Sequence, residues 1–498
     1  MLQLASRAWV PVLLASASCF GSAPSKGGGQ IGEQAARAAV GAPASPYDVD
    51  VPDGYTVELV ADRLTFPTGV AFGPDGTVYV VESGYAYGEV VTTPRLLAID
   101  PRAGAGARPR ELVAGDHPPW TGIAADERAL YVAEGGVEEG GRIVRYDLAG
   151  GPRGGLGAPQ VLVDNLPSLG DHHTNGPVVQ GEWVYFGQGT ATNSGVVGPD
   201  NADVGWLTRE PTFHDTPCQD IVVTGTPFES DNPLTTDADK ARTSAYAPFG
   251  QTLEAGQTIH GELPCNGAVM RVPARGGKLE LVAWGFRNPF GLAFDPDGTL
   301  HVTDNGYDVR GSRPIFGAAD PLWRVEHGRW YGWPDYAEGR PVTDAAYSEG
   351  DGAPGGFMLA RHPGEPPRPV AQLPVHASAD GLDFSRSETF GHVGEAFVAL
   401  FGDMAPEAGK VLSPVGFSVV RVDVHTGHVE DFARNRGDAT GPASKRGLRG
   451  LERPIAARFD ASGDALYVVD FGVLRMGDKG PEPKAESGAL WRITRSTR

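Results

Sequence analysis

From Pro67 the chain reads PTGVAFGPDGTVYVVES, with apolar side chains at alternate positions on both sides of Pro74-Asp75-Gly76. A period of two predicts a β-strand, and Pro-Asp-Gly predicts the turn of a hairpin, Pro fixing φ and Gly accepting a positive φ. The element recurs as TGIAADERALYVAEGG from Thr121, NGPVVQGEWVYFGQG from Asn175, NPFGLAFDPDGTLHVTDNG from Asn288, DGLDFSRSETFGHVGEAFVALFGD from Asp380 and PIAARFDASGDALYVVDFG from Pro454, six copies in all. A second series, small-x-apolar-x-Arg-apolar, follows the first copy by copy: PRLLAID from Pro94, GRIVRYD from Gly141, GAVMRV from Gly267, DPLWRV from Asp320, FSVVRVD from Phe417 and GALWRI from Gly488. Two series that agree in number and order predict an all-β, six-bladed β-propeller with about four strands per blade.

The spacing is uneven. Tyr79, Tyr131 and Tyr185 stand 52 and 54 residues apart, whereas Tyr185 to His301 is 116, which places a long insertion at about 190–264 in the third blade. Long excursions from a rigid ring are where binding surfaces tend to be built. YTVELVA from Tyr55 precedes the first hairpin and GALWRITR ends the last unit, and their pairing would close the ring and remove its sheet edges.

Length alone, at 498 residues, argues for more than one domain, because compact cores stop growing at about 250 to 300 residues unless the architecture is a closed ring of repeats. The 70 Gly are then the turns a propeller needs. A formal charge of −20 argues against a nucleic-acid or anionic-membrane partner. At the amino terminus Arg7 precedes the apolar stretch AWVPVLLASA, and Ala15-Ser16-Ala17 supplies a cleavage pattern. Residues 1–17 thus read as a signal peptide of an exported, periplasmic or secreted protein, too short to span a membrane. Residues 18–47 read as a flexible Gly/Ala/Ser-rich leader and 48–498 as the propeller, with lipidation of Cys19 an alternative route to the membrane surface. Cys218 and Cys265 remain. In an oxidising compartment they are candidates for one disulfide, and neither belongs to a C-x-x-C pair.

No G-x-S-x-G, H-E-x-x-H, P-loop or EF-hand spacing is present, nor a C-x-x-C-H haem motif. Candidate chemistry rests on polar residues where the hairpins end: Glu82, Glu134, Gln188, Asp304 and Asp470, which would face one mouth of the channel or stand as solvated loop groups. Residues 284–336 add Arg287-Asn288 before a hairpin, Asn305-Gly306 after it, and Tyr331-Gly332-Trp333-Pro334.

Through RNPFGLAF, the DNG that follows, YGWP and HTNGPVVQGEWVYFGQG from His173, the chain resembles the soluble quinoprotein glucose/sorbosone dehydrogenase family. The resemblance implies a six-bladed propeller that uses pyrroloquinoline quinone and Ca2+ to oxidise an aldose, a sorbosone-like aldehyde or a related sugar, with electrons passing to an external acceptor. It implies His173 as the general base, with His172 the adjacent alternative. Arg287, accompanied by Asn288, would sit at the quinone oxygens, and the backbone carbonyls of Gly306 and Tyr307 would hold the metal, Tyr307 standing where the family usually has Pro. Arg453 matches best among the cofactor-holding cations ahead of the last hairpin, in a stretch with Lys445, Arg446 and Arg449; Arg310 and Arg313 are further candidates. The family's fifth-blade lysine has no counterpart in FVALFGDMAP, Lys410 being displaced by several residues. Two other readings stay open on the residues alone. One is a calcium-dependent hydrolase of lactonase type, with Glu82, Glu134, Asn175 and Asp304 as ligands; the other is a non-catalytic propeller that binds a glycan or a protein.

Overall fold

The computed structural model describes residues 43–100, 102, 108–148, 155–350, 355–478 and 480–496. The signal peptide, Cys19 and most of the leader lie outside the described residues. Six antiparallel sheets, five of four strands and one of five, account for the body of the protein, and each is built on one of the six hairpins. Their innermost strands are Pro67–Phe72, Trp120–Ala125, Thr174–Gln180, Pro289–Phe294, Ala379–Phe384 and Pro454–Phe459, each packed against the next and the last against the first. The third strands run Arg95–Ile99, Gly141–Asp147, Ala268–Pro273, Asp320–Arg324, Ser418–Asp423 and Gly488–Arg495, the second recurring series of the sequence. This is a six-bladed β-propeller.

The second strands are buried on two sides, which is why they read as nearly continuous apolar runs. In Ala129–Glu134, Leu130 and Val132 pack with Tyr79, Val81 and Leu96 of blade 1, whereas Ala129, Tyr131 and Ala133 pack with Val184, Phe186 and Met270 of blade 3. Every residue of that strand is buried. The recurring arginine stands opposite an aromatic ring or imidazole of the second strand in five blades: Tyr131 with Arg145, Tyr185 with Arg271, His301 with Arg324, Phe397 with Arg421 and Tyr467 with Arg492. Such a pair covers the ring with the arginine stem while the guanidinium finds partners at the rim.

Blade 6 is completed from both ends of the propeller. Tyr55–Leu64 pairs antiparallel with Gly488–Arg495, from Tyr55 opposite Arg495 to Leu64 opposite Gly488, so the ring has no open seam there. The described residues ahead of 48 already contact the propeller. Ser45 is buried and its backbone N–H donates to the Arg449 carbonyl at 2.7 Å, and Val49–Asp50 adds a fifth strand to blade 5. Between Gln188 and Ala268 the chain leaves blade 3, forms two short helices, Pro199–Asp203 and Trp206–Arg209, and is tied at its base by a Cys218–Cys265 disulfide. No helix of the described residues is long and apolar enough to cross a membrane.

Three outcomes follow from these contacts. A Cβ on Gly122 would lie 1.9 Å from the Gly176 carbonyl oxygen of the neighbouring inner strand, so Gly122→Ala should cost about 1–3 kcal/mol or more in denaturant unfolding. Removing the disulfide frees a loop with 47 residues of sequence separation, and Cys218→Ser with Cys265→Ser should lower stability by about 2–4 kcal/mol in the same assay. Burial pushes the carboxyl of Asp215 up to about 7 and that of Glu452 up to about 8. Both hold a proton more tightly folded than unfolded, so their contribution is complete below the ordinary carboxylate range near about 4 and is lost as the pH rises through about 7 to 8. Tm should therefore fall between about pH 5.5 and about pH 8.5, and Asp215→Asn with Glu452→Gln should flatten that fall.

Candidate functional site

Antiparallel register decides which residues can meet. The start of each inner strand lies opposite the end of the second: Pro67 with Glu82, Trp120 with Glu134, Thr174 with Gln188, Pro289 with Asp304, Ala379 with Leu400 and Pro454 with Asp470. Loops entering the inner strands and loops leaving the second strands therefore crowd one mouth of the ring. The first set carries His172-His173, Arg287-Asn288, His376 and Arg453. The second carries Tyr85 to Val91, the blade-3 insertion, Gly306 to Arg313 and residues 403–415.

The carboxylates and amide at the strand ends have another use. Glu82, Glu134, Gln188, Asp304 and Asp470 are all buried. Glu82 accepts from the Thr65 N–H at 2.7 Å, Asp304 from those of Arg287 and Asn288, and Asp470 from those of Glu452, Arg453 and Gly472. Gln188 accepts from the Thr174 hydroxyl at 2.8 Å, and Glu134 pairs with Arg142. They are internal clasps of their own blades, neither solvated nor converging. The three carboxylates of the hydrolase reading are thus engaged within their own blades, while Asn175 donates through Nδ2 to Asn288 Oδ1 at 2.8 Å. Among the described residues one group of three could share an ion, Asp116, His117 and Glu134, and the Arg142 guanidinium already contacts all three.

At the mouth, His173 engages the Ser168 carbonyl through Nδ1 at 3.0 Å, and the Tyr85 ring stands edge-on to it at 6.2 Å between centroids. Burial lowers its pKa, so the imidazole is neutral near pH 7. His172 points the other way in the extended chain. Its Nδ1 meets the Thr190 carbonyl at 2.9 Å, and burial together with the Arg287 charge depresses its pKa further.

Arg287 is buried and held from several sides. Nη2 donates to Asp308 at 2.7 Å and to Asn193 Oδ1 at 3.0 Å, Nε to Asn193, and Nη1 to the Asn305 carbonyl at 3.3 Å. Asn288 donates to Asn305 Oδ1 at 2.7 Å. Against the cost of partial burial, the two arginines beside Asp308 hold its carboxyl below the usual range. The Asn305 and Asp308 carbonyls both accept hydrogen bonds. Those of Gly306 and Tyr307 between them accept none from any described residue. Two free neutral oxygens beside a fixed guanidinium suit the calcium and quinone end of the cofactor implied by the resemblance.

The remaining arginines are occupied otherwise. Arg310 is enclosed by three carboxylates, Asp171 at 2.8 Å, Asp200 at 2.7 Å and Asp308 at 3.0 Å. Arg313 is not a ligand group: it is spent inside the protein on the Ser194, Pro334 and Gly356 carbonyls and on Asp335. Arg449 is exposed and lies beside Asp48, anchoring the amino-terminal segment. Arg453 does reach the mouth. Its guanidinium is shared among the carbonyls of Phe401, Gly402, Asp403 and Leu474 and lies 4.9 Å from the Phe401 ring centroid. The free positive charge expected ahead of blade 6 is thus not displayed there. Sequence reading also missed Asn193, Asp308 and Tyr85. Asp308 and Tyr85 stand just past the second strands of their blades, the position that singled out Gly306.

Residues 258–372 match the family model described as Glucose / Sorbosone dehydrogenase, a span that includes Arg287, Asn288, Gly306 and Tyr307. No curated protein sequence matches the chain. Among solved structures it is similar to the holo form of the pyranose dehydrogenase PQQ domain from Coprinopsis cinerea, with 15 % identity, 91 % of this chain and 99 % of that one covered and a TM-score of 0.56. It is similar to the calcium structure of a Trichoderma reesei protein of Carbohydrate-Active Enzymes Family AA12, with 14 % identity, the same coverage and a TM-score of 0.56. At such identities the shared property is the fold. The resemblance of this chain to the glucose/sorbosone dehydrogenase family thus rests on the matched residues 258–372 and on a propeller of the same architecture.

Proposed function

We propose that the protein is an exported oxidoreductase that oxidises an aldose or related sugar aldehyde by hydride transfer to pyrroloquinoline quinone, with electrons passed to an external acceptor. The observation that carries this reading is the joint placement of His173, Arg287 and the two free carbonyls of Gly306 and Tyr307 in loops at one mouth. Bound there, the quinone would supply the hydride acceptor that no side chain provides.

His173 Nδ1–H donates to the Ser168 carbonyl, which leaves the lone pair on Nε2. A neutral imidazole in that tautomer can remove the proton of a sugar hydroxyl as its carbon loses hydride, a contribution of about 10²–10⁴ in rate. Arg287 would set its guanidinium against the quinone end of the bound group, where it would favour the reduced form, and Asn193 and Asp308 fix its direction in advance. Asn288 adds an amide oriented by Asn175 and Asn305. Gly306 and Tyr307 would hold calcium through their carbonyls, with Asp320 fixing the Gly306 N–H at 2.7 Å. Arg310 neutralises Asp171 on the loop that carries His172 and His173 and is a support of the site.

Titrating the apoprotein with pyrroloquinoline quinone and Ca2+ should produce cofactor absorbance and dye reduction with a panel of aldoses. Lactone hydrolysis without either signal would overturn the assignment. His173→Ala should lower kcat by about 10²-fold or more while leaving the quinone absorbance titration unchanged. Unaltered turnover would place the base elsewhere.

A further inference from the structure

Between the second and third strands of blade 1 the chain makes a small hairpin, Tyr85–Ala86 paired with Val90–Val91. Its tip, Gly88 at φ 86° and Glu89 at φ 57°, is fastened on two sides. On one side the Tyr85 hydroxyl donates to Glu89 Oε1 at 2.8 Å while Glu89 Oε2 pairs with Arg209 of the blade-3 insertion at 3.2 Å. From the same short helix Trp206 Nε1 donates to Asp171 at 2.7 Å, two residues before His173, whose ring meets Tyr85. The contacts form a closed circuit through two blades. On the other side Gly88 lies so near the Pro481 carbonyl of a blade-6 hairpin that a Cβ would stand 2.4 Å from it.

Between these fastenings Tyr87 is held over the mouth. Its ring is 6.2 Å from that of Phe401 in blade 5, and its hydroxyl lies within electrostatic reach of Asp380, Asp308, Arg453 and Arg287 from blades 4, 5 and 6. Yet the residue is 48 % exposed. A large aromatic surface left open at the mouth, and bordered by polar side chains of three other blades, offers the stacking surface that the apolar C–H face of a pyranose requires.

We propose that Tyr87 is the stacking platform for the saccharide substrate and that Glu89, through Tyr85 and Arg209, is the residue that positions this hairpin. The inference rests on the sugar-oxidising reading above, but its test does not need a loaded cofactor. Saturation-transfer NMR of the full-length protein with methyl β-D-glucopyranoside and methyl β-D-galactopyranoside should show transfer to ring C–H protons in the wild type, in Tyr87→Phe and in His173→Ala. The transfer should be lost in Tyr87→Ala and in Glu89→Ala, with Glu89→Gln, which keeps an acceptor for the Tyr85 hydroxyl, restoring it in part. In reconstituted enzyme Tyr87→Ala should raise KM about tenfold with kcat within about twofold. Wild-type transfer in Tyr87→Ala, with its thermal melting unchanged, would overturn the proposal, as would absence of transfer in the wild type. Glycoside binding that depends on Tyr87 in a protein that reduces no dye would uphold the platform and remove the redox reading alone.

Discussion

Neighbouring inner strands of the propeller meet backbone to backbone, and that crowding sets the height at which every loop enters the mouth. A Cβ on Gly122 would strike the Gly176 carbonyl, and one on Gly291 would stand 2.2 Å from the Asp380 carbonyl. The same contact is stitched by hydroxyls: Thr68 donates to the Trp120 carbonyl, Thr121 to that of Thr174, and Thr303 to that of Asp380. A strand so held cannot slide by two residues without losing both its packing and these bonds. Arg287, His173 and Arg453 stand immediately before inner strands and are placed by those strands' register.

The electrostatics of the mouth follow from that rigidity. In a protein of net charge −20 the arginines of this mouth could have been left as bare cations, and instead three carboxylates enclose Arg310 and one holds Arg287. Burial of a guanidinium is tolerable only with partners, and here the partners also fix its direction. A ligand entering this site meets oriented dipoles and paired charges in place of mobile side chains.

Much of the architecture was legible because the second strands are buried on both faces, which imposes an apolar run that survives in six divergent copies. The closing strand was legible differently, from the alternation of half-buried Tyr55, Val57 and Leu59 with exposed Thr56 and Glu58. Outer strands such as Arg110–Ala114 were not, because an edge strand mostly in contact with water carries no such pattern. At the site, the motif around Arg287 and Asn288 and the one around His173 did come together. Arg313 and Arg449 did not join them. Their charge is visible in a sequence, but the acid beside each is not: Asp335 stands 22 residues from Arg313 in a loop, and Asp48 stands 401 residues from Arg449. Glu82, Glu134 and Asp470 failed for a related reason: a carboxylate that clasps a backbone amide and one that lines a channel are the same residue type, and direction alone separates them.

The pairing of Tyr55–Leu64 with Gly488–Arg495 also bears on the order of events during synthesis. The outermost strand of blade 6 emerges from the ribosome before any of the other three, and its partner follows only after the other five blades. Blades 1 to 5 can form as they appear, but the first strand must wait with neither edge paired until they have all been made. A nascent chain of this protein, or one truncated before residue 488, is therefore a ring missing its final join, held open by topology however stable its finished blades are.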